Sequence, residues 1–282
     1  MTRIFGVLGH PITHSLSPAM HTAALRALRV DALYTAFDVP PAFLRPALHA
    51  LVLAGLDGCN VTVPLKEAVL PLLDDLDPLA RAVGSVNTVV VRRGRTIGYT
   101  TDGIGLRRAL EALGWSAGRR TRAILLGAGG AARAAAWELA RRPGSELTIA
   151  NRHVDRARRL AVLLRRSMPQ ARVRATALHR VSLAGADVVV NATSLGLHPG
   201  DRLPVDCDAL APPTLVYDMI YHRRTRLVET ARRRGCVAAN GLSMLLYQGA
   251  ESLRLWLHRA PPIQPMRAAL QRAVNAQDDL SA

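Results

Sequence analysis

The chain has 282 residues, 49% of them hydrophobic and 21% charged, with a net charge of +16. That length exceeds most single cores and predicts two domains, while the composition excludes a disordered chain. No apolar run approaches the ~20 residues of a membrane span, and Cys59, Cys207 and Cys236 are spaced for neither a disulfide framework nor a zinc site, so buried reduced thiols are expected.

Ile4–Leu8 reads as a buried strand stopped by Gly9-His10-Pro11. The chain enters it without a signal peptide's charged and apolar regions, so a cytoplasmic location is expected. Ser17-Pro18 reads as an N-cap followed by a first-turn proline, opening a helix to about Leu28. Ala32–Phe37 is a strand and Pro41–Ala54 a helix ended by Gly55. Gly58–Pro64 forms a short strand running into a turn, with Lys66 just beyond. Leu79–Val83 is helical, and Thr88–Arg92 and Thr96–Tyr99 flank Arg93-Gly94-Arg95 as a hairpin.

A second unit begins near Asp102. Gly105–Leu113 is a linking helix, and the strand Arg122–Leu126 feeds Gly127-Ala128-Gly129-Gly130-Ala131-Ala132. Helix Ala131–Ala140, strand Glu146–Ala150, helix Val154–Arg166 and strands Val173–Thr176, Asp187–Asn191 and Thr214–Asp218 follow. Alternating strands and helices give an α/β class, with a Rossmann-like doubly wound parallel sheet in this second part. The helix Leu242–Leu257 and an amphipathic helix over about Pro265–Asn275 close the chain. The pattern places boundaries near Asp102 and Asn240-Gly241, dividing the chain into 1–102, 103–240 and 241–282.

The positive charge invites a nucleic-acid reading, but the arginines are dispersed in pairs such as Arg92-Arg93, Arg107-Arg108, Arg141-Arg142 and Arg165-Arg166, on what read as solvated helix faces. With 4% aromatic residues, base-stacking platforms are scarce. A small-molecule substrate is expected, with no nucleic-acid or membrane partner, in a monomer or homodimer. The 37 basic residues comprise 36 arginines and one lysine, Lys66. Solvation tolerates arginine everywhere. A position that keeps lysine needs a compact ammonium able to lose a proton.

Gly127, Ala128, Gly129, Gly130 and Ala131 lie between a strand and a helix, where glycines let backbone approach a pyrophosphate held at the helix N-terminus. The bland alternative is a tight strand–helix turn. An NAD enzyme would place a carboxylate about 20 residues on. Here the next strand ends in Asn151-Arg152-His153, with Arg156 one turn later, and guanidiniums suit a 2′-phosphate. NADP is the expected cofactor, although Asp155 could pair with one of these arginines. The nine histidines show no ligand spacing, and no metal site is expected.

Several stretches, in order, now carry a resemblance. His14-Ser15-Leu16-Ser17-Pro18, Asn60-Val61-Thr62-Val63-Pro64-Leu65-Lys66, Gly84-Ser85-Val86-Asn87-Thr88 and Thr101-Asp102-Gly103 resemble the S-x-S-P, N-V-T-x-P-x-K, G-A-V-N-T and N-T-D-G-x-G segments of the shikimate dehydrogenase family. The glycine loop, Asn151-Arg152, Asn191–Gly196, Tyr217-Asp218-Met219 and Gly241–Leu245 with Gln248 extend the likeness from residue 4 to about residue 250. The chain departs from the family at Thr100, where Asn is usual, and at His153, where Thr is frequent.

That resemblance implies reduction of 3-dehydroshikimate to shikimate with NADPH, in aromatic amino-acid biosynthesis. It makes Lys66 and Asp102 the catalytic pair. Reduction of a ring ketone needs a proton at the reacting oxygen, which lysine can supply and arginine cannot; a structural salt bridge is the plain alternative. It makes Ser15 and Ser17 carboxylate ligands, Ser17 being equally a helix cap, and Thr62, Asn87 and Gln248 ligands of the ring hydroxyls. Tyr217 lies near the carboxylate or is simply a core tyrosine. Thr193, Met219 and Gly241 line the nicotinamide pocket. Two rivals remain: a quinate/shikimate dehydrogenase of broader specificity, and a non-catalytic dinucleotide-binding regulatory module.

Overall fold

Strand-forming runs rich in valine, isoleucine and leucine place two sheets in the computed structural model, which describes residues 2–116, 121–198 and 200–279. The chain folds as two units: Met1–Gly105 with Leu245–Ala282, and Leu106–Met244.

The first unit holds β1 (Arg3–Gly9), α1 (Ser17–Ala27), β2 (Ala32–Asp38), α2 (Leu44–Leu53), β3 (Leu56–Val61), β4 (Asp75–Leu76), α3 (Pro78–Val83), β5 (Thr88–Arg92) and β6 (Arg95–Tyr99). Its sheet has the order β2-β1-β3-β5-β6-β4. β1 is parallel to β2 and β3, whereas β5 runs antiparallel to β3 and β6. In register, Asn60 of β3 faces Thr88 of β5, and Thr88 faces Tyr99 of β6. The residues just past β3, just before β5 and just past β6 therefore lie at one end of the sheet.

α4 (Asp102–Glu111) leads from the first unit into the second, which contains β7 (Arg122–Leu126), α5 (Gly130–Ala140), β8 (Glu146–Asn151), α6 (Val154–Ser167), β9 (Arg172–Ala177), β10 (Val188–Asn191), β11 (Leu215–Asp218), α7 (Arg226–Arg233) and β12 (Val237–Asn240). The strands are all parallel in the order β12-β11-β10-β7-β8-β9. That is the doubly wound order, in which the strand sequence reverses between β7 and β10 and ligands bind beyond the carboxyl ends at the reversal. β10, Val188–Asn191, is buried throughout, as a strand covered on both faces must be.

α8 (Leu242–Leu257) returns the chain to the first unit and α9 (Ile263–Asp279) follows it. On α8 the successive turns Gln248, Ser252 and Trp256 face inward and are buried. Trp256 donates its indole N–H to the Val89 carbonyl at 2.9 Å and stacks on Phe5 at 5.0 Å. Gly58 makes room for that indole: a Cβ there would stand 2.4 Å from Trp256 Nε1.

Several expectations need correction. Ser17 does not cap α1: it is the first helical residue, the preceding position is Leu16, and no side chain caps the helix. The helix expected over Pro41–Ala54 begins instead as a separate 3₁₀ turn, Pro41–Phe43, because Pro46 has no N–H to give the Ala42 carbonyl, the bond that a continuous α-helix from Pro41 would need. The linking helix starts at Asp102, three residues early, since Thr101 accepts the Gly105 N–H at 3.0 Å. Arg142 is not on a solvated face. It is buried and stacks 3.5 Å above the Trp115 ring. β4 and β12 are additional short strands with little local signal; α7 is an additional helix, clearly amphipathic with Leu227, Val228 and Ala231 buried, and capped by Thr225, whose hydroxyl accepts the Val228 N–H at 3.4 Å. The three cysteines are buried and free, and burial pushes the Cys59 thiol up to about 12.

Candidate active site

The antiparallel turn from β3 to β5 to β6 does the assembling. Lys66 follows β3, Asn87 precedes β5 and Asp102 follows β6, so residues from three segments converge at one sheet end. Lys66 Nζ donates to Asp102 Oδ2 at 2.5 Å. Both are nearly sealed from solvent, with relative exposures of 9% and 3%. Backbone bonds lock the segments: Val86 N–H to the Lys66 carbonyl at 3.0 Å, and Asn87 N–H to the Tyr99 carbonyl at 3.1 Å. Asp102 also opens α4, where a carboxylate is favoured by the helix dipole.

The other Asp102 oxygen is held by Asn87, whose Nδ2 donates to Oδ1 at 2.9 Å. The same amide nitrogen stands 3.0 Å from Gln248 Oε1 and 2.9 Å from Thr101 Oγ1. The amide's orientation is set from its oxygen, which accepts the Thr101 backbone N–H at 2.7 Å. Turning it over would aim that oxygen at the carboxylate. Gln248 in turn donates to the Leu245 carbonyl at 2.9 Å. Lys66, Asp102, Asn87 and Gln248 are thus one bonded set. At the family departure, the Thr100 hydroxyl is buried without a hydrogen-bond partner.

Ser15, Ser17 and Thr62 lie in the same unit, in the segments following β1 and β3, but no hydrogen bond joins them to that set. Ser15 Oγ accepts the Ser17 N–H at 3.3 Å, and Thr62 N–H donates to the Leu8 carbonyl at 2.8 Å. Thr62 packs against Gly9, where a Cβ would meet its methyl at 2.4 Å. Tyr217 sits in the second unit, wholly buried; its hydroxyl accepts the Met244 N–H at 3.0 Å and bonds Ser243 Oγ at 3.0 Å.

In the second unit, Gly127, Asn151, Ala192, Met219 and Gly241 each directly follow or end a parallel strand, so they line one end of the sheet. Gly127, at φ +111°, lets the turn pass the neighbouring loop: a Cβ would stand 2.7 Å from the Ala192 carbonyl oxygen. Gly129 begins α5 without a side-chain cap, and a Cβ there would meet nothing within 4 Å. First-turn amides of a helix without a side-chain cap, beside the open space at Gly129 and next to Ala128, Gly130 and Ala131, fit a diphosphate. Thr193 is held by Asn191, whose Oδ1 accepts both its N–H at 3.1 Å and its hydroxyl at 2.8 Å. Asn191 is in turn held by the wholly buried Asp218 at 3.0 Å, a carboxylate that burial pushes above its ordinary range. Gly241 abuts Met219: a Cβ would fall 2.2 Å from the Met219 carbonyl oxygen.

Beyond β8, Asn151 Nδ2 bonds the His153 carbonyl at 2.9 Å, shaping the strand end, and Arg152, His153 and Arg156 are exposed. Asp155 is engaged by Arg158 at 2.9 Å. Among the described residues neither Arg152 nor Arg156 has a carboxylate partner, so both guanidiniums are available to a 2′-phosphate, and the residues fit NADP. Among the described residues no group of three or more His, Cys, Asp or Glu is placed to hold a metal ion, and no helix is long and apolar enough to cross a membrane.

Sequence reasoning did not single out Ser252, Asn60, Thr88 or Tyr34, buried polar residues bonded behind Asn87. The four-residue step from Gln248 to Ser252 on one helix face was the available signal.

Comparison with known proteins gives a consistent picture. Residues 7–89 match the family described as the shikimate dehydrogenase substrate binding domain, residues 111–197 the shikimate/quinate 5-dehydrogenase family, and residues 241–271 the shikimate 5′-dehydrogenase C-terminal domain. The chain is similar to a shikimate dehydrogenase (NADP(+)) of Symbiobacterium thermophilum, 45% identical over 98% of this chain and 96% of that one. Among solved structures it resembles a shikimate dehydrogenase in complex with NADP+, with TM-score 0.90 and 36% identity over 97% and 96% of the two chains. It also resembles the shikimate 5-dehydrogenase of Thermus thermophilus in complex with NADP(H) and shikimate, with TM-score 0.85 and 38% identity over 96% and 100%.

Proposed function

This chain belongs to the shikimate dehydrogenase family, and from that membership we infer that it is an NADP-dependent shikimate dehydrogenase of aromatic amino-acid biosynthesis. It interconverts 3-dehydroshikimate and shikimate: 3-dehydroshikimate + NADPH + H⁺ ⇌ shikimate + NADP⁺. The observation that carries the assignment of roles is the buried contact of Lys66 Nζ with Asp102 Oδ2 at 2.5 Å.

In the reducing direction Lys66 gives a proton to the ring oxygen as it becomes an alcohol. In the oxidising direction it takes that proton away. Asp102 holds the ammonium in place and leaves its other N–H groups to point at the substrate. Asn87 secures the far oxygen of Asp102 and, with Thr62 and Gln248, binds ring hydroxyls. Ser15 and Ser17 hold the carboxylate. For Ser17 this reading is supported by a largely buried side chain that caps no helix. Tyr217 also lies near the carboxylate, through a hydroxyl set by Ser243 and Met244. The unit 1–102 with 241–282 is the substrate domain and 103–240 the NADP domain.

NADPH supplies the hydride when bound. Gly127, Ala128, Gly129, Gly130 and Ala131 would hold its diphosphate at α5; Asn151, Arg152, His153 and Arg156 its adenosine ribose and 2′-phosphate; and Thr193, Met219 and Gly241 its nicotinamide. Small molecules are the partners, with neither nucleic acid nor membrane, in a cytoplasmic monomer or homodimer. The wide spread of the arginines along the chain supports that reading.

The test is the absorbance rise at the reduced-nicotinamide band with shikimate as substrate, run with NADP and with NAD, for the native chain and Lys66→Ala. Strong turnover with NADP, weak with NAD and a collapse of turnover in the variant is the expected result. Turnover with quinate and NAD alone would transfer the chain to the broader-specificity branch, and no turnover with either would leave a non-catalytic dinucleotide-binding module.

A further inference from the structure

Ser252 is fully buried on α8, one turn beyond Gln248, and no step above uses it. Its hydroxyl stands where three segments meet. It donates to the Gln248 carbonyl at 3.0 Å, accepts from Asn60 Nδ2 at 2.9 Å, and lies 2.7 Å from Thr88 Oγ1 and 3.4 Å from Thr101 Oγ1. Thr88 directly follows Asn87, and Thr101 directly precedes Asp102. One side chain therefore braces the chain neighbours of both residues behind the Lys66 ammonium, together with the helix that carries Gln248.

The Asn87 carbonyl can only accept, and it takes the Asn60 Nδ2–H at 3.1 Å, which fixes the Asn60 amide. The same nitrogen reaches Ser252 at 2.9 Å, and Asn60 Oδ1 accepts from Tyr34 OH at 2.8 Å. With the single Ser252 proton on the Gln248 carbonyl, Thr88 donates into Ser252 across 2.7 Å in preference to Asn87 Oδ1 at 3.3 Å. A buried network so ordered holds its members in one arrangement, and removing a hub leaves donors without acceptors.

We propose that Ser252 is a positioning residue of the reaction: through Thr88 and Thr101 it holds Asn87 against Asp102, and through α8 it holds Gln248 against Asn87. Substrate alignment is sensitive to displacements below an ångström, so the effect reaches both turnover and substrate binding. The proposal rests on the dehydrogenase reading above.

The experiment measures shikimate oxidation with NADP for the native chain, Lys66→Ala, Ser252→Ala and Tyr34→Phe, with the folded fraction of each fixed by thermal unfolding. For Ser252→Ala we expect kcat to fall roughly tenfold or more, KM for shikimate to rise severalfold, and KM for NADP to stay at the native value. Tyr34→Phe, which removes only the distal hydroxyl, shows the same split to a smaller degree, and decides the matter alone where Ser252→Ala does not fold. A merely structural Ser252 would reduce the amount of active enzyme and leave both KM values unchanged; that result, or native kinetics in both variants beside an inactive Lys66→Ala, overturns the proposal. A native chain that does not oxidise shikimate would instead overturn the dehydrogenase reading, and this proposal with it.

Discussion

Lys66 and Asp102, 36 positions apart in the chain, meet at 2.5 Å with almost no access to water. Opposite charges at that depth gain little net stability, because desolvation offsets their attraction. Lys66→Arg separates a structural role for the pair from the catalytic one proposed above. Arginine keeps the charge beside Asp102 but has no proton to give near neutrality. Both Lys66→Ala and Lys66→Arg are expected to lower kcat by about 10²–10⁴-fold. Steady-state assays in which the arginine variant keeps more than a tenth of native kcat would reduce Lys66 to an ion-pair partner.

The two glycines at the start of α5 are expected to behave differently. Gly127→Ala forces a side chain at φ +111° and 2.7 Å from the Ala192 carbonyl oxygen, which costs on the order of 1–3 kcal/mol in strain alone. Its thermal midpoint should fall visibly. Gly129→Ala meets nothing within 4 Å, so its midpoint should match the native one. KM for NADP should nonetheless rise about tenfold, since the methyl group stands where a diphosphate oxygen approaches the α5 amides. An unchanged KM for NADP in Gly129→Ala would place the diphosphate elsewhere.

Asp155 is engaged by Arg158 at 2.9 Å, and among the described residues Arg152 and Arg156, the proposed 2′-phosphate ligands, have no carboxylate partner. Removing either should weaken NADP by roughly ten- to a hundredfold, the worth of one charge-assisted hydrogen bond. KM for NAD should stay within about twofold, because NAD has no 2′-phosphate for them to bind. Parallel loss for both cofactors would mean that these arginines support the fold instead.

His21 is wholly buried, stacked on Tyr34 at 4.3 Å, and its ring nitrogens have no hydrogen-bond partner. Burial lowers its pKa from 6.5 to about 3. Between those values the unfolded chain binds a proton that the folded chain refuses. Folding stability therefore falls as pH drops below 6.5, at up to about 1.4 kcal/mol per unit. His21→Phe should reduce the stability lost between pH 7 and pH 5 by about 2 kcal/mol, read from urea unfolding at the two values. Equal pH dependence in both chains would show that His21 is protonated alike in the folded and unfolded states.

The repeating strand–helix pattern was legible because parallel strands buried on both faces are apolar throughout, as Val188–Val190 and Ile124–Leu126 are. Lys66 was legible because it is the one lysine among 37 basic residues. β4 and β12 were not: β4 has two residues, and β12, Val237-Ala238-Ala239-Asn240, lacks the wholly buried, bulky apolar run that marks the equally short β10 and β11. Ser17 misled for a local reason: Ser-Pro reads as cap and first turn, and a shift of one residue turns a cap into a buried helical side chain.

The sequence by itself determined the residue types, the glycine turn and the guanidiniums beyond β8, because each is a property of a few adjacent positions. What only the tertiary structure decided is how Asn60, Asn87, Asp102 and Ser252 share their donors and acceptors. Those residues come from β3, the edge of β5, the start of α4 and the middle of α8. Antiparallel register and the return of a C-terminal helix bring them into hydrogen-bonding range, and neither is encoded in local spacing.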